Sequence, residues 1–202
     1  SENKFMSNHS GGLLCKSPLK IFFILGKTFV ISDTWFNRPY DKHYGKNHLD
    51  YNKEIISKWN SVVSEDDTVY VLGGFGIGDI YDSVFQLNGE IIFLNTFFSD
   101  DEIESKNNLI NFINKSINKS LKDKIIFSQN QVEILKDKDV VLSYFPLLDW
   151  YGKKNESLCF HGMNEDTNMN NNNVCCNAYN WDFIPVNIEE VISNIKKFKS
   201  MI

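Results

Sequence analysis

Between Thr28 and Leu94 the apolar pattern of this 202-residue chain changes period repeatedly, and that alternation limits the folds open to it. β-Branched and aromatic runs at Thr28 to Ser32, Thr68 to Leu72 and Ile91 to Leu94 read as strands. Between the first two, Ile55, Ile56, Trp59, Val62 and Val63 recur at the spacing of one helix face. Ile80 to Leu87 reads as a short helix. Glu102 to Leu121, carrying Ile103, Ile110, Ile113 and Ile117, reads as a long amphipathic one. Short strands follow at Ile125 to Phe127, Val132 to Leu135, Val140 to Ser143 and Leu158 to Phe160. Asn187 opens a last helix through an Asn-x-x-Glu capping box to Glu190. Its apolar face is Ile188, Val191, Ile192, Ile195 and Phe198, and Lys196, Lys197 and Lys199 sit at its negative dipole end. Strands that first alternate with helices and then cluster predict an α/β fold, a sandwich with helices outside.

The remaining stretches read as connections. Residues 1–26 form an N-terminal arm, in which Leu19 to Leu25 supplies a possible extra strand turning at Gly26-Lys27. Residues 37–50 mix Pro, Gly, Asp, His and Asn and read as a loop. Asn164 to Asn173 is Asn-rich and reads as a long spacer. No linker separates domains, so 27–202 is expected to be a single domain, long enough to bury ~70% of its unfolded surface.

Composition removes several classes of function. A net charge of -5 lacks the basic excess of a nucleic-acid binder. The longest apolar run, Ile21 to Leu25, is far short of the ~20 residues of a membrane span. Cys15, Cys159, Cys175 and Cys176 form no C-x-x-C pair, which argues against structural zinc and for reduced thiols, the two adjacent ones buried, in a cytoplasmic protein. One Ala and one Arg stand against 20 Lys, 21 Ile and 25 Asn, the usage of an AT-rich genome. Lysines and asparagines therefore carry little functional signal on their own.

Chemistry in α/β folds gathers in the loops at the carboxyl ends of strands. Those loops are Ser32-Asp33-Thr34-Trp35, Leu72-Gly73-Gly74-Phe75, Leu94-Asn95-Thr96-Phe97, Ser143-Tyr144-Phe145-Pro146 and His161-Gly162-Met163-Asn164-Glu165. Together with Trp59 to Val63, Asp67 to Gly73 and the Asn173 to Val186 tail, in this order and spacing, the chain from Thr28 to Ile192 resembles the calcineurin-like metallophosphoesterases. The likeness is strongest to the small bacterial and phage type.

That resemblance implies a metallophosphoesterase-like β-sandwich flanked by helices. It also implies a two-metal centre whose bridged hydroxide attacks phosphorus. Most of the family's ligands are replaced here. The opening Asp-x-His is Asp33-Thr34-Trp35, and the Gly-Asp that supplies the bridging carboxylate is Gly73-Gly74. In the Gly-Asn-His-Asp loop, Asn95 stands for the asparagine and Phe97 for the catalytic His, with the register free by one residue. Tyr144 replaces the His of Ser-His-Tyr-Pro. Of His-Gly-His-x-His, His161 remains, while the two ligating positions are Met163 and Glu165.

Gly74 has no side chain, and Trp35, Phe97 and Met163 offer no hard donor. The expected result is a vestigial pocket of Asp33, Trp35, Gly74, Asn95, Phe97, Tyr144, His161, Met163 and Glu165, plugged by apolar groups, with no metal and no cofactor. Each of these positions also has a plainer role. Asp33 can bond backbone amides of the next loop, Trp35 and Phe97 can pack in the core rather than stack a base, and His161 can be a hydrogen-bonded structural residue. His43 and His48, beside Asp41 and Asp50, read as a solvated loop rather than a metal site.

The function expected is a catalytically inactive relative acting as a structural or protein-interaction subunit. One alternative is a protein that binds phosphate or a nucleotide without hydrolysing it. A second is a weak phosphodiesterase using Asp33, Glu165 and Asn95. Protein partners are expected, and neither nucleic acid nor membrane.

Overall fold

The computed structural model describes residues 26–38, 48–116, 123–163 and 172–201. Strands β1 (Thr28–Ile31), β2 (Thr68–Val71), β3 (Glu90–Phe93), β4 (Ile125–Phe127), β5 (Val132–Leu135), β6 (Val140–Ser143), β7 (Leu158–His161), β8 (Asn173–Cys175) and β9 (Val186–Asn187) form two sheets. The helices are α1 (His48–Val62), α2 (Tyr81–Val84), α3 (Asp100–Lys115) and α4 (Ile188–Lys199). One sheet runs β4-β3-β2-β1-β9 and the other β5-β6-β7-β8. β1 to β4 are mutually parallel, with β9 antiparallel on β1. In the second sheet β6, β7 and β8 are parallel and β5 is antiparallel at the edge.

Side-chain alternation along the central strands divides the core. Phe29, Ile31, Val69, Val71, Ile91 and Phe93 face Ile55 and Trp59 of α1 and Leu109 and Ile113 of α3. Val30, Leu72 and Leu94 point the other way, onto Val140, Leu142, Leu158 and Phe160 of the second sheet and Ile188 of α4. β1, β6 and β7 are buried at every position and so are mostly apolar in succession, while β2 and β3 alternate buried with half-buried residues. The protein is thus an α/β structure of two sheets flanked by helices.

Several expectations shift. α1 begins at His48, inside the stretch read as a loop; His43 lies outside the described residues, and of the His48 side chain nothing is described. α2 is shorter than its sequence pattern. α3 starts at Asp100, where Ser99 Oγ accepts the Glu102 N–H and Glu102 Oε2 accepts the Ser99 N–H, a complete capping box. Its buried stripe is Glu102, Ser105, Leu109 and Ile113, while Ile103 is 42% exposed. Ser105 is small and turns its hydroxyl back onto the Asp101 carbonyl at 2.7 Å, so the buried stripe runs through it. Ile117 and the Leu19 to Leu25 run lie outside the described residues.

Asn173, read as the end of the spacer, begins β8, because pairing with β7 supplies the bonds that its polar sequence does not advertise. Cys176 is fully buried, but Cys175 is only half-buried. No helix among the described residues is long and apolar enough to cross a membrane.

Trp59 is the largest fully buried side chain, and its indole N–H donates to the Asn88 carbonyl at 3.0 Å, tying α1 to the turn before β3. Trp59→Ala is expected to cost about 3–5 kcal/mol through the cavity it leaves. Urea denaturation monitored by circular dichroism measures this, and a loss below about 1 kcal/mol would contradict this account of the core.

Candidate functional site

The parallel register aligns the carboxyl ends of β1, β2 and β3 on one edge, with Ile31 opposite Val71 and Val71 opposite Phe93. Ser143, His161 and Cys175 end β6, β7 and β8 in the same way. The two sets meet at a bridge between Ser32 and Asn177: the Ser32 N–H donates to the Cys176 carbonyl and the Ala178 N–H to the Ser32 carbonyl. Ser32 Oγ adds a bond to the Gly162 carbonyl at 2.9 Å. The loops after β1 and β2 also stay paired beyond their strands, with Asp33, Trp35 and Phe36 N–H groups donating to Gly73, Gly74 and Phe75 carbonyls.

Asp33 lies at this junction, 5% exposed, with φ +56°. Its carboxyl does not bond the amides of the next loop. Instead Asn177 Nδ2 donates to Oδ2 at 2.6 Å and the Tyr144 hydroxyl donates to Oδ1 at 3.3 Å. Asn177 is itself fixed, because Nδ2 also donates to the Gly162 carbonyl and Oδ1 accepts the Tyr179 N–H. The carboxyl leans directly over Gly74: a Cβ there would stand 2.0 Å from Asp33 Oδ1. Gly74 also has φ +58°, a conformation costly for any residue with a Cβ.

Tyr144 is seated by a second close approach. Its Cδ2 lies 2.6 Å from where a Gly73 Cβ would be and 2.9 Å from that of Gly162. Two residues without side chains thus flank the ring. Beyond it, Tyr144, Phe145 and Phe98 form a ring cluster with centroids 5.2–5.3 Å apart. Phe98 and Phe145 are each about half exposed. Glu102, besides capping α3, accepts the Phe98 N–H at 3.3 Å and so holds the loop that presents this ring.

Of the other expected pocket residues, Phe97 and Asn95 make their contacts elsewhere. Phe97 turns away, packing with Phe93 and Phe127 under the Lys106 ammonium, which lies 4.6 Å from its ring centre. Phe98 is the ring neighbour of Tyr144. Asn95 Oδ1 accepts from Lys106 at 3.5 Å and takes no part in the Asp33 cluster. Trp35, also at positive φ, has the Arg38 guanidinium 5.5 Å above its ring. His161 is buried with Nδ1 3.1 Å from the Met163 carbonyl, and the Met163 N–H donates to the Tyr144 carbonyl. Glu165 lies outside the described residues. Sequence reading missed Asn177, Ser32 and Phe98. Asn177 and Asp33 are 144 positions apart, and no local pattern joins them.

Burial pushes the Asp33 carboxyl up to about 7 and the nearby Glu102 charge adds to this, while the Tyr144 and Ser32 hydroxyls and Arg38 pull the other way. Burial, then the Asp33 charge, raise Tyr144 well above an ordinary phenol. With the folded value of Asp33 above its unfolded value, the protonated form stabilises the fold. That contribution is complete below the unfolded value of 3.8 and is lost as pH rises through about 7.

No family model matches the chain, and no curated protein matches it. Among solved structures it is similar to a protein of unknown function from Aquifex aeolicus, at 20% identity and a TM-score of 0.47, over 83% of this chain and 98% of that one.

Asp33→Asn keeps the shape, suits the left-handed backbone and removes the ionisation. It is expected to be more stable than wild type near pH 8, by at most about 4 kcal/mol, with the gap narrowing steadily as pH falls toward 4. Urea denaturation across that range measures it, and parallel pH profiles for the two proteins would show that Asp33 does not titrate in the fold.

Proposed function

We propose that this chain is a catalytically inactive member of the metallophosphoesterase-like folds, retained as a structural or protein-interaction subunit of a larger assembly. The order of strand-end loops and their meeting on one edge of two sheets support the fold reading. The sharing of one apolar cluster by both sheets and α4 supports a single domain over 27–202. Free thiols at Cys159, Cys175 and Cys176 fit a cytoplasmic setting.

The observation that carries the functional reading is the engagement of Asp33. Both of its carboxyl oxygens are held by protein donors, and one fills the space over Gly74. A dinuclear centre needs a bridging carboxylate and several hard donors on each ion. Here the carboxylate that remains leans on the glycine at the bridging position, and a phenol ring fills the gap between Gly73 and Gly162. Among the described residues no three of His, Cys, Asp and Glu are grouped to hold an ion. The described residues do not fit the two-metal group. Rings and a single carboxyl in its place avoid the desolvated charge repulsion of an empty acidic cage.

Purified protein with Mn²⁺ is expected to turn over no bis-p-nitrophenyl phosphate above the buffer rate and to show no Mn²⁺ binding by calorimetry. Turnover abolished in Asp33→Ala would overturn the inactive reading. Mononucleotides at millimolar concentration are expected to leave Tm unchanged; stabilisation would instead favour a protein that sequesters a nucleotide or phosphate. Gly74→Asp, which restores the family's carboxylate, is expected to destabilise the fold by about 3 kcal/mol or more. A Gly74→Asp protein as stable as wild type and binding Mn²⁺ would show that the cage is still accessible.

A further inference from the structure

Away from the strand-end cluster, α1, α2 and the N-terminal turns of α3 enclose a groove of about 1040 Å³. Its apolar lining is Leu49, Ile56, Ile77 and Phe85, with Leu49 60% exposed. Around that lining stand the carboxylates of Asp79, Asp82, Asp101 and Glu104, all exposed, with Lys53 the one cation among the described lining residues. Among the described residues none of these four carboxylates is in an ion pair, although Lys58, Lys124, Lys138 and Lys199 all find acids elsewhere. Helix dipoles account for Asp82 and Asp101 in first turns, but not for Asp79, which precedes α2, nor for Glu104.

From this groove we infer a docking site for a short basic, amphipathic segment of a partner protein, its apolar side chains on Leu49 and Ile77 and its lysines or arginines against the four carboxylates. Charge complementarity selects the occupant. A second copy of this chain, at net charge -5, would bring more acid to an acidic rim. The volume is at the upper end of small-molecule sites, and a groove between helices suits a helical segment anchored at i, i+3 and i+4. The inference rests on the interaction-subunit reading and names the surface it would use. It is tested by binding, independently of turnover.

The experiment is fluorescence anisotropy of the full chain with a labelled amphipathic Lys/Leu peptide, and with two controls in which Ser replaces Leu or Glu replaces Lys. Only the Lys/Leu peptide is expected to bind, with affinity falling as salt rises. Asp82→Asn with Glu104→Gln is expected to weaken binding about tenfold, and Leu49→Ser with Ile77→Ser likewise. Asp66→Asn with Asp137→Asn, exposed acids outside the groove, should leave it unchanged. Equal loss from the groove and outside pairs, or equal binding of the Ser-substituted peptide, would reduce the effect to net charge and overturn the site. Absence of binding by all three peptides would overturn it too, while leaving the turnover result to judge the inactive reading. Circular dichroism of each variant separates lost contacts from lost folding.

Discussion

The carboxyl of Asp33 sits where strand ends from both sheets meet, and each of its partners comes from the sheet opposite its own. Asn177 reaches it from the turn after β8 and Tyr144 from the end of β6. A buried carboxyl without such donors would carry a desolvation cost that a small protein could not absorb. With them it becomes a polar joint in an otherwise apolar interface, placed at one end of the shared cluster of Val30, Leu72, Leu142 and Phe160. Its elevated proton affinity follows from the same burial that makes the joint dry.

Local backbone shape follows from this joint. Asp33, Trp35 and Asn37 all hold positive φ within one short loop, a conformation that costs non-glycine residues about 1–2 kcal/mol each. The loop keeps it because hydrogen bonds to Gly73, Gly74 and Phe75 carbonyls and the Tyr51 hydroxyl on the Thr34 carbonyl fix nearly every backbone group. Strain of this kind persists where the surroundings over-determine it. In this protein the surroundings serve a sealed junction, and the rings of Phe98, Tyr144 and Phe145 close its outer side.

Much of the architecture was legible from residue order. β2, β4 and β6 fall on their apolar runs, since strands with buried positions must be apolar there; β5 falls on its run too, although Val132 and Ile134 are exposed. The face of α1 through Ile55 and Trp59 was legible for the same reason. The register of α3 was not. An isoleucine-rich composition places Ile103 at a plausible spacing, yet the buried stripe runs through Ser105. β8 and β9 escaped notice because Asn173-Val174-Cys175 and Val186-Asn187 form no apolar run such as Ile125 to Phe127 gives β4; their neighbours define them. At the site, the residue types at Trp35, Gly74 and Tyr144 could be read directly, whereas the convergence of Asn177 and Tyr144 on Asp33, and of Phe98 on Tyr144, could not.

The amino-acid sequence alone determined the succession of strands and helices that makes the fold α/β, and the residue types that stand at the strand ends, because each depends on residue type and local spacing. Tertiary structure decided how those strand ends meet. Contacts between residues 111 and 144 positions apart, a ring accommodated by two glycines from different sheets, and four carboxylates gathered round one groove depend on how the sheets and helices close on each other. Packing and burial act between elements, and no local period encodes them.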